Sequence, residues 1–132
     1  MPRGLHHVEL YVSDLERSVQ FWAPLLERLG YEGYQNWSEG RSWKLGDTYI
    51  VFVQTAPKYA EIPYHRCGTG LNHLAFWVDS RSDVDALTEE LRAQGTPILY
   101  SDRHPHAGGN GHYAVYFEDP DRIKVEVVAE IP

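Results

Sequence analysis

The chain has a single cysteine, Cys67, in 132 residues. No disulfide framework can form, and a reducing, cytoplasmic setting is the expectation. No apolar run approaches the ~20 residues that a membrane-spanning helix needs. The opening stretch, MPRGLHHVEL, lacks the long apolar segment of a secretory signal. Positive charge is scarce: 12 Lys and Arg stand against 19 Asp and Glu, for a net charge of −7. With no basic run to offset that balance, the composition argues against a partner held by nucleic-acid phosphates. The 42% hydrophobic and 23% charged residues are those of an ordinary globular protein. The length suits one domain with its own core. Nine Tyr and four Trp are a heavy aromatic load. Most of it belongs to a core, and part suits the lining of a pocket for a flat ligand.

The chain repeats itself. Residues 4–10 read GLHHVEL and residues 70–76 read GLNHLAF, and His7 and His73 stand 66 apart, half the chain length. Self-similarity at that scale points to two copies of one supersecondary unit. Each copy opens on an alternating strand pattern, through Tyr11-Val12 and through Trp77-Val78. A helical stripe follows in both, Leu15, Val19, Trp22, Leu26 and Leu29 in the first and Val84, Leu87 and Leu91 in the second. Ser13 with Glu16 fits a capping box, Ser80 or Ser82 can cap the second helix, and Gly30 and Gly95 fit the stops. Pro24, inside the first stripe, predicts a kink or a break. Strands are then expected over SWKLGD and TYIVFVQ in the first copy and over YAVYFEDPD and IKVEVV in the second. Further strands are expected near Tyr31–Trp37 and Pro97–Tyr100, with turns at Gly46-Asp47 and Asp119-Pro120-Asp121. The reading is one domain over 1–132: a module at about 4–56, a Pro- and Gly-rich linker at 57–69, and a second module at 70–130.

Side chains two apart on a strand share a face. His7, Glu9 and Tyr11 share one, His73, Ala75 and Trp77 another, and Lys124, Glu126 and Val128 a third. A carboxylate at Glu126, between Val125 and Val127 in an apolar strand, is costly to bury unless it is paired or binds a metal. A divalent ion held by His7, His73 and Glu126 would account for all three. Two imidazoles and a carboxylate with open positions suit Fe(II), Mn(II), Ni(II) or Zn(II). The plain alternative is two hydrogen-bonded strand histidines and a glutamate on a half-exposed sheet.

The stretches LHHVELYVSDLERSVQFW, GLNHLAFWV and YFEDPDRIKVEVV resemble the vicinal oxygen chelate superfamily, which includes glyoxalase I, fosfomycin-resistance proteins, type I extradiol dioxygenases and bleomycin-resistance proteins. The resemblance covers nearly the whole chain. It implies an α+β fold of two βαβββ modules whose mixed sheets curl into a cup with the helices outside. It also implies metal ligands at His7, His73 and Glu126, with His6 turned the other way. Homodimers whose sites combine modules of both subunits are implied as well.

Departures from the family members narrow the activity. Glyoxalase I carries a fourth acidic ligand late in module one, and counting five on from Asp47, as Glu126 is five on from Asp121, lands on apolar Phe52. The position of the phosphonate-binding lysine in fosfomycin-resistance proteins is held by His106, their distal arginine would fall beyond Pro132, and Glu9 would repel a phosphonate. Extradiol dioxygenases share the two-His, one-Glu set and a tyrosine at Tyr116, but their upstream histidine matches neither His112 nor His106, and Arg122 replaces a Gly or Pro.

The expectation is a metal-dependent enzyme acting on a small oxygenated, in some versions aromatic, molecule through chelation of two oxygens, with lyase, isomerase or dioxygenase chemistry. Glu9 is the candidate base and Tyr116 the candidate hydrogen-bond donor. Tyr11, Phe52, Trp77 and His106 are expected to line the substrate pocket. The segment SDRHPHAGGNGHY suits a mobile lid or a solvated turn, and His104, His106 and His112 take no assigned chemical role. The alternative class is a drug- or metabolite-sequestering protein of the bleomycin-resistance type.

Overall fold

The computed structural model describes residues 1–129; the end of the second module's expected range, at 130, lies outside them. The chain forms two compact units, dividing after Pro63. Among the described residues, no helix is long and apolar enough to cross a membrane.

The first unit carries β1 (His7–Val12), α1 (Leu15–Arg28), β2 (Glu32–Trp37), β3 (Gly40–Leu45) and β4 (Thr48–Gln54). Its sheet runs β1-β4-β3-β2, with β1 parallel to β4 and the other neighbours antiparallel. Alternation sorts β1: His7, Glu9 and Tyr11 are exposed, while Val12 is buried. The α1 stripe of Leu15, Trp22, Leu25 and Leu26 is buried. Trp22 meets Phe52 at 4.9 Å between ring centroids, and Phe52 meets Trp43 at 5.9 Å.

The cap of α1 is Asp14, whose carboxylate accepts from the Arg17 amide at 3.2 Å. Ser13, expected in that role, instead accepts from the Arg17 guanidinium and offers its carbonyl to the Gln54 amide. Pro24 does not break the helix. It and Gln20, whose carbonyl loses an intrahelical donor, both face solvent, where water can replace the lost bond.

The second unit carries β5 (His73–Trp77), α2 (Arg81–Ala93), β6 (Tyr113–Glu118) and β7 (Lys124–Ala129), in the order β5-β7-β6. Here too the first strand is parallel to the last. Ser80 and Asp83 close a capping box on α2. Both helices stop alike. Glycine takes a left-handed φ of +96° at Gly30 and +77° at Gly95. The next amide, of Tyr31 or Thr96, then donates at 2.9 Å to the carbonyl of Leu26 or Leu91. This Schellman ending is made in both units.

The modules are not equal. The strand expected at Pro97–Tyr100 reduces to one bridge between Ile98 and Phe117. Tyr100 has φ +55°, which no extended strand accommodates. The class remains α+β with two mixed sheets, of four and three strands. In place of the missing strand, Leu99, Tyr100 and Ala107 pack on Tyr116, Ala114 and Val128. The segment before β6 therefore lies against the face of the second sheet that carries Glu126.

Candidate functional site

The second unit gathers its chemistry on β7. Glu126 is only 4% exposed. Its Oε1 stands 3.0 Å from His73 Nε2, and its Oε2 stands 2.5 Å from His112 Nε2. Register explains the first contact, because β5 runs parallel to β7 with Ala75 opposite Glu126, one step along the same face from His73. The other nitrogen of His73, Nδ1, meets the side-chain oxygen of Asn72 at 2.7 Å. His73 thus faces an acceptor at both ring nitrogens. A neutral imidazole has one N–H, so the second contact calls for a positive charge between Nε2 and the carboxylate, either a proton or a metal ion.

Tyr116 stands opposite Glu126 across the antiparallel β6–β7 pair. Burial, followed by the neighbouring Glu126 charge, pushes the phenol up to about 12. It therefore keeps its proton at any physiological pH.

His112 is the site residue that sequence spacing missed. It comes from the glycine-rich turn before β6, and nothing about a distance of 14 residues from Glu126 signals contact. Gly108 makes the contact possible. A Cβ there would stand 2.3 Å from the His112 ring and 2.9 Å from the Tyr116 hydroxyl, so only glycine lets that ring dock.

In the first unit His7 opens β1 with its ring stacked on Tyr49, centroids 4.7 Å apart and planes 3° from parallel. His6 does not turn away, as the resemblance implied. Its Nδ1 lies 2.9 Å from His7 Nδ1, and its ring also meets Tyr49 edge-on. His6 precedes the strand, so strand alternation does not govern it. Glu9 is exposed on the His7 face, with Tyr11, 70% exposed, beyond it.

Phe52, counted as a pocket residue, is 1% exposed and sits in the α1 core against Trp22 and Trp43. The register also moves the comparison made there. Glu126 faces Ala75 and Glu9 faces Val51, so Val51 is the repeat counterpart of Glu126. The count was anchored on turns of unequal length, two residues between Leu45 and Thr48 and five between Glu118 and Lys124, and a count across unequal turns does not keep register. Val51 is apolar as well, so the first module lacks a fourth acidic ligand either way. Trp77 is 68% exposed on β5. His106 is exposed in the turn, its ring edge-on to Tyr113 at 5.5 Å. Among the described residues, no three His, Cys, Asp or Glu side chains already surround one ion position.

The family model of the glyoxalase/bleomycin resistance protein/dioxygenase superfamily matches residues 4–127. The chain belongs to this superfamily. It is 59% identical to a Bacillus subtilis protein named YqjT over 95% of this chain and 98% of that one. The crystal structure of a glyoxalase-like protein from Bacillus halodurans matches with a TM-score of 0.94 and 60% identity, covering 96% and 95% of the two chains. The glutathione transferase FosA of Serratia marcescens is 29% identical over 96% of this chain and 81% of its own. The superfamily thus spans more than one chemistry, and its α+β fold is the one observed.

For a divalent ion, the donor chemistry of this unit fits. A buried carboxylate faces imidazole nitrogens, and the amide oxygen of Asn72 holds the far nitrogen of His73. This is the outer contact that metal-bound histidines commonly make.

Proposed function

We propose that this superfamily member is a divalent-metal-dependent enzyme acting on a small molecule with two adjacent oxygens. His73 and Glu126 would hold the ion, with His7 as third ligand. The observation that carries the reading is the doubly accepted His73 ring, which wants a cation beside the buried carboxylate. Fe, Mn, Ni and Zn all suit that donor set. When bound, the ion supplies a Lewis acid that lowers the pKa of a chelated substrate group. Glu9 takes the proton released from the substrate at its carboxylate oxygen. The Tyr116 hydroxyl, kept protonated by its burial, donates to oxygen charge that develops on the substrate. Asn72 fixes the His73 ring, and the turn carrying His112 shields Glu126 from water. The working form is a cytoplasmic homodimer with its sites at the subunit boundary. The exposed His7–Glu9–Tyr11 face supports such an assembly. Lyase, isomerase and dioxygenase chemistry are all consistent with these roles. The missing acid at Val51 weighs against a typical glyoxalase I.

The exposed rings of Tyr11 and Trp77 favour a second reading, a protein that binds a flat drug or metabolite without transforming it. Metal analysis of protein purified without chelator separates the two. The enzyme reading expects about one ion per chain, lost in His73→Ala. Metal-free protein that still binds a flat aromatic compound would establish the binder instead. A screen of metal-loaded protein against catechols, α-keto thioesters and aromatic antibiotics then searches for the substrate.

A further inference from the structure

Two residues before Glu126, and on the same face of β7, stands Lys124. Its ammonium donates to the Tyr100 hydroxyl at 2.8 Å. It also lies over two aromatic rings, 4.9 Å from the centre of Tyr100 and 5.3 Å from that of Tyr116. Those rings meet edge-to-face at 5.5 Å, so together they form a corner that fixes the cation. Tyr100 reaches this place through a left-handed backbone, φ +55°, which costs a non-glycine residue strain that the surrounding contacts must offset. Arg103 covers the Tyr100 ring at 4.9 Å and adds a second positive charge.

The carboxylates that could neutralise Lys124 are engaged elsewhere. Glu118, its register partner on β6, gives one oxygen to both Arg66 and Arg122. Glu126 is held by its imidazoles. Among the described residues, no acid stands within ion-pair distance of Lys124. The ammonium has three donors and only one goes to Tyr100, so two remain for a ligand.

We propose that Lys124 is the anion seat of the site, and that the substrate carries a phosphate or carboxylate group a few ångströms from its two chelating oxygens. Same-face neighbours on a strand stand about 6.6–6.8 Å apart. That span suits a molecule of three or four carbons that reaches from the ion position at Glu126 to Lys124. Tyr100 is the positioning residue: its hydroxyl and ring hold the ammonium ready. The inference deepens the proposed function and rests on Glu126 and His73 as metal ligands.

Dihydroxyacetone and dihydroxyacetone phosphate share their vicinal oxygens and differ only in the anion. Each is titrated calorimetrically into Mn(II)-loaded and metal-free protein. Wild type should bind the phosphate at least about tenfold more tightly, as a charge-assisted contact supplies. Lys124→Met, which keeps the apolar stem on the rings, should erase that difference while Mn(II) content stays unchanged. Tyr100→Phe should shrink it. An undiminished preference in Lys124→Met, or no preference in wild type, overturns the anion seat. If wild type fails to take up Mn(II), the metal reading falls, and the metal-free titration alone decides on Lys124: a phosphate preference lost with the lysine upholds it, and its absence rejects it.

Discussion

Glu126→Gln keeps the shape of the most buried acid of the site and removes its charge. In metal-free protein the change should cost little. An amide can still both accept from and donate to the two imidazoles that meet Glu126 at 3.0 and 2.5 Å, and removing a buried charge relieves desolvation, so the loss should stay within about 1 kcal/mol. With metal the two proteins should separate. A ligand present at ~100 times its Kd stabilises the folded state by about 2.7 kcal/mol. In a chain of this size that raises the melting midpoint by about 10 °C. Disturbing contacts one shell out from a metal already costs ~10–100-fold in affinity, and losing the carboxylate itself should cost at least ~100-fold. At the same metal concentration the variant then sits near its own Kd and gains only about 0.4 kcal/mol, or one to two degrees. The assay is a pair of thermal scans with and without Mn(II), Fe(II), Ni(II) or Zn(II), backed by metal analysis. If Glu126→Gln shows the full wild-type shift, or wild type shows none with any of the four ions, the assignment of Glu126 as a metal ligand is refuted.

Three further perturbations read other parts of the structure. Asn72→Ala frees the far nitrogen of His73 and should weaken metal binding by ~10–100-fold with little change in metal-free stability; equal affinity would mean that the asparagine does not orient the ring. Gly108→Ala puts a methyl group against the His112 ring and the Tyr116 hydroxyl. It should cost about 1–3 kcal/mol in urea unfolding and move the His112 ring-proton resonances, whereas unchanged resonances would show that the turn absorbs the group. His104 is held below its ordinary pKa of 6.5, chiefly by burial and then by the Arg92 charge. The unfolded chain therefore binds the extra proton first, and stability falls as the pH drops through about 6.5 toward the lower folded value. His104→Gln should make the midpoint less sensitive to pH between about 5 and 7; a slope equal to that of wild type would exclude this contribution.

What the sequence made legible was whatever repeats or alternates. The offset between His7 and His73, the two apolar stripes and the glycine stops all rest on periods that survive folding, and each maps onto an observed element. The cap at Asp14 rather than Ser13 was one residue away, and a one-residue ambiguity between two good capping types is beyond pattern reading. Whether Pro24 breaks its helix is beyond pattern reading for a different reason. Its cost depends on whether the freed carbonyl meets water, which only the helix's orientation decides. The contact of His112 with Glu126 and the seat of Lys124 between Tyr100 and Tyr116 were not legible at all. Both depend on an irregular segment whose path is set by glycines and one left-handed tyrosine.

The same irregular segment explains why two copies of one module carry unequal chemistry. In the first, a complete fourth strand flanks the sheet, and Val51 stands where the second has Glu126. In the second, the expected strand gives way to a turn-rich segment that brings imidazole and phenol groups onto the sheet face. A buried acid is tolerable only where such partners reach it. An acid at position 51 would have Glu9 opposite it on β1 and Ser42 opposite it on β3, and among the described residues of its unit the chain runs as regular strands where the second unit has its turn-rich segment. The loss of a strand and the gain of a carboxylate are therefore one change seen twice: the backbone that leaves the sheet at Tyr100 returns at His112 with the side chains that make Glu126 affordable.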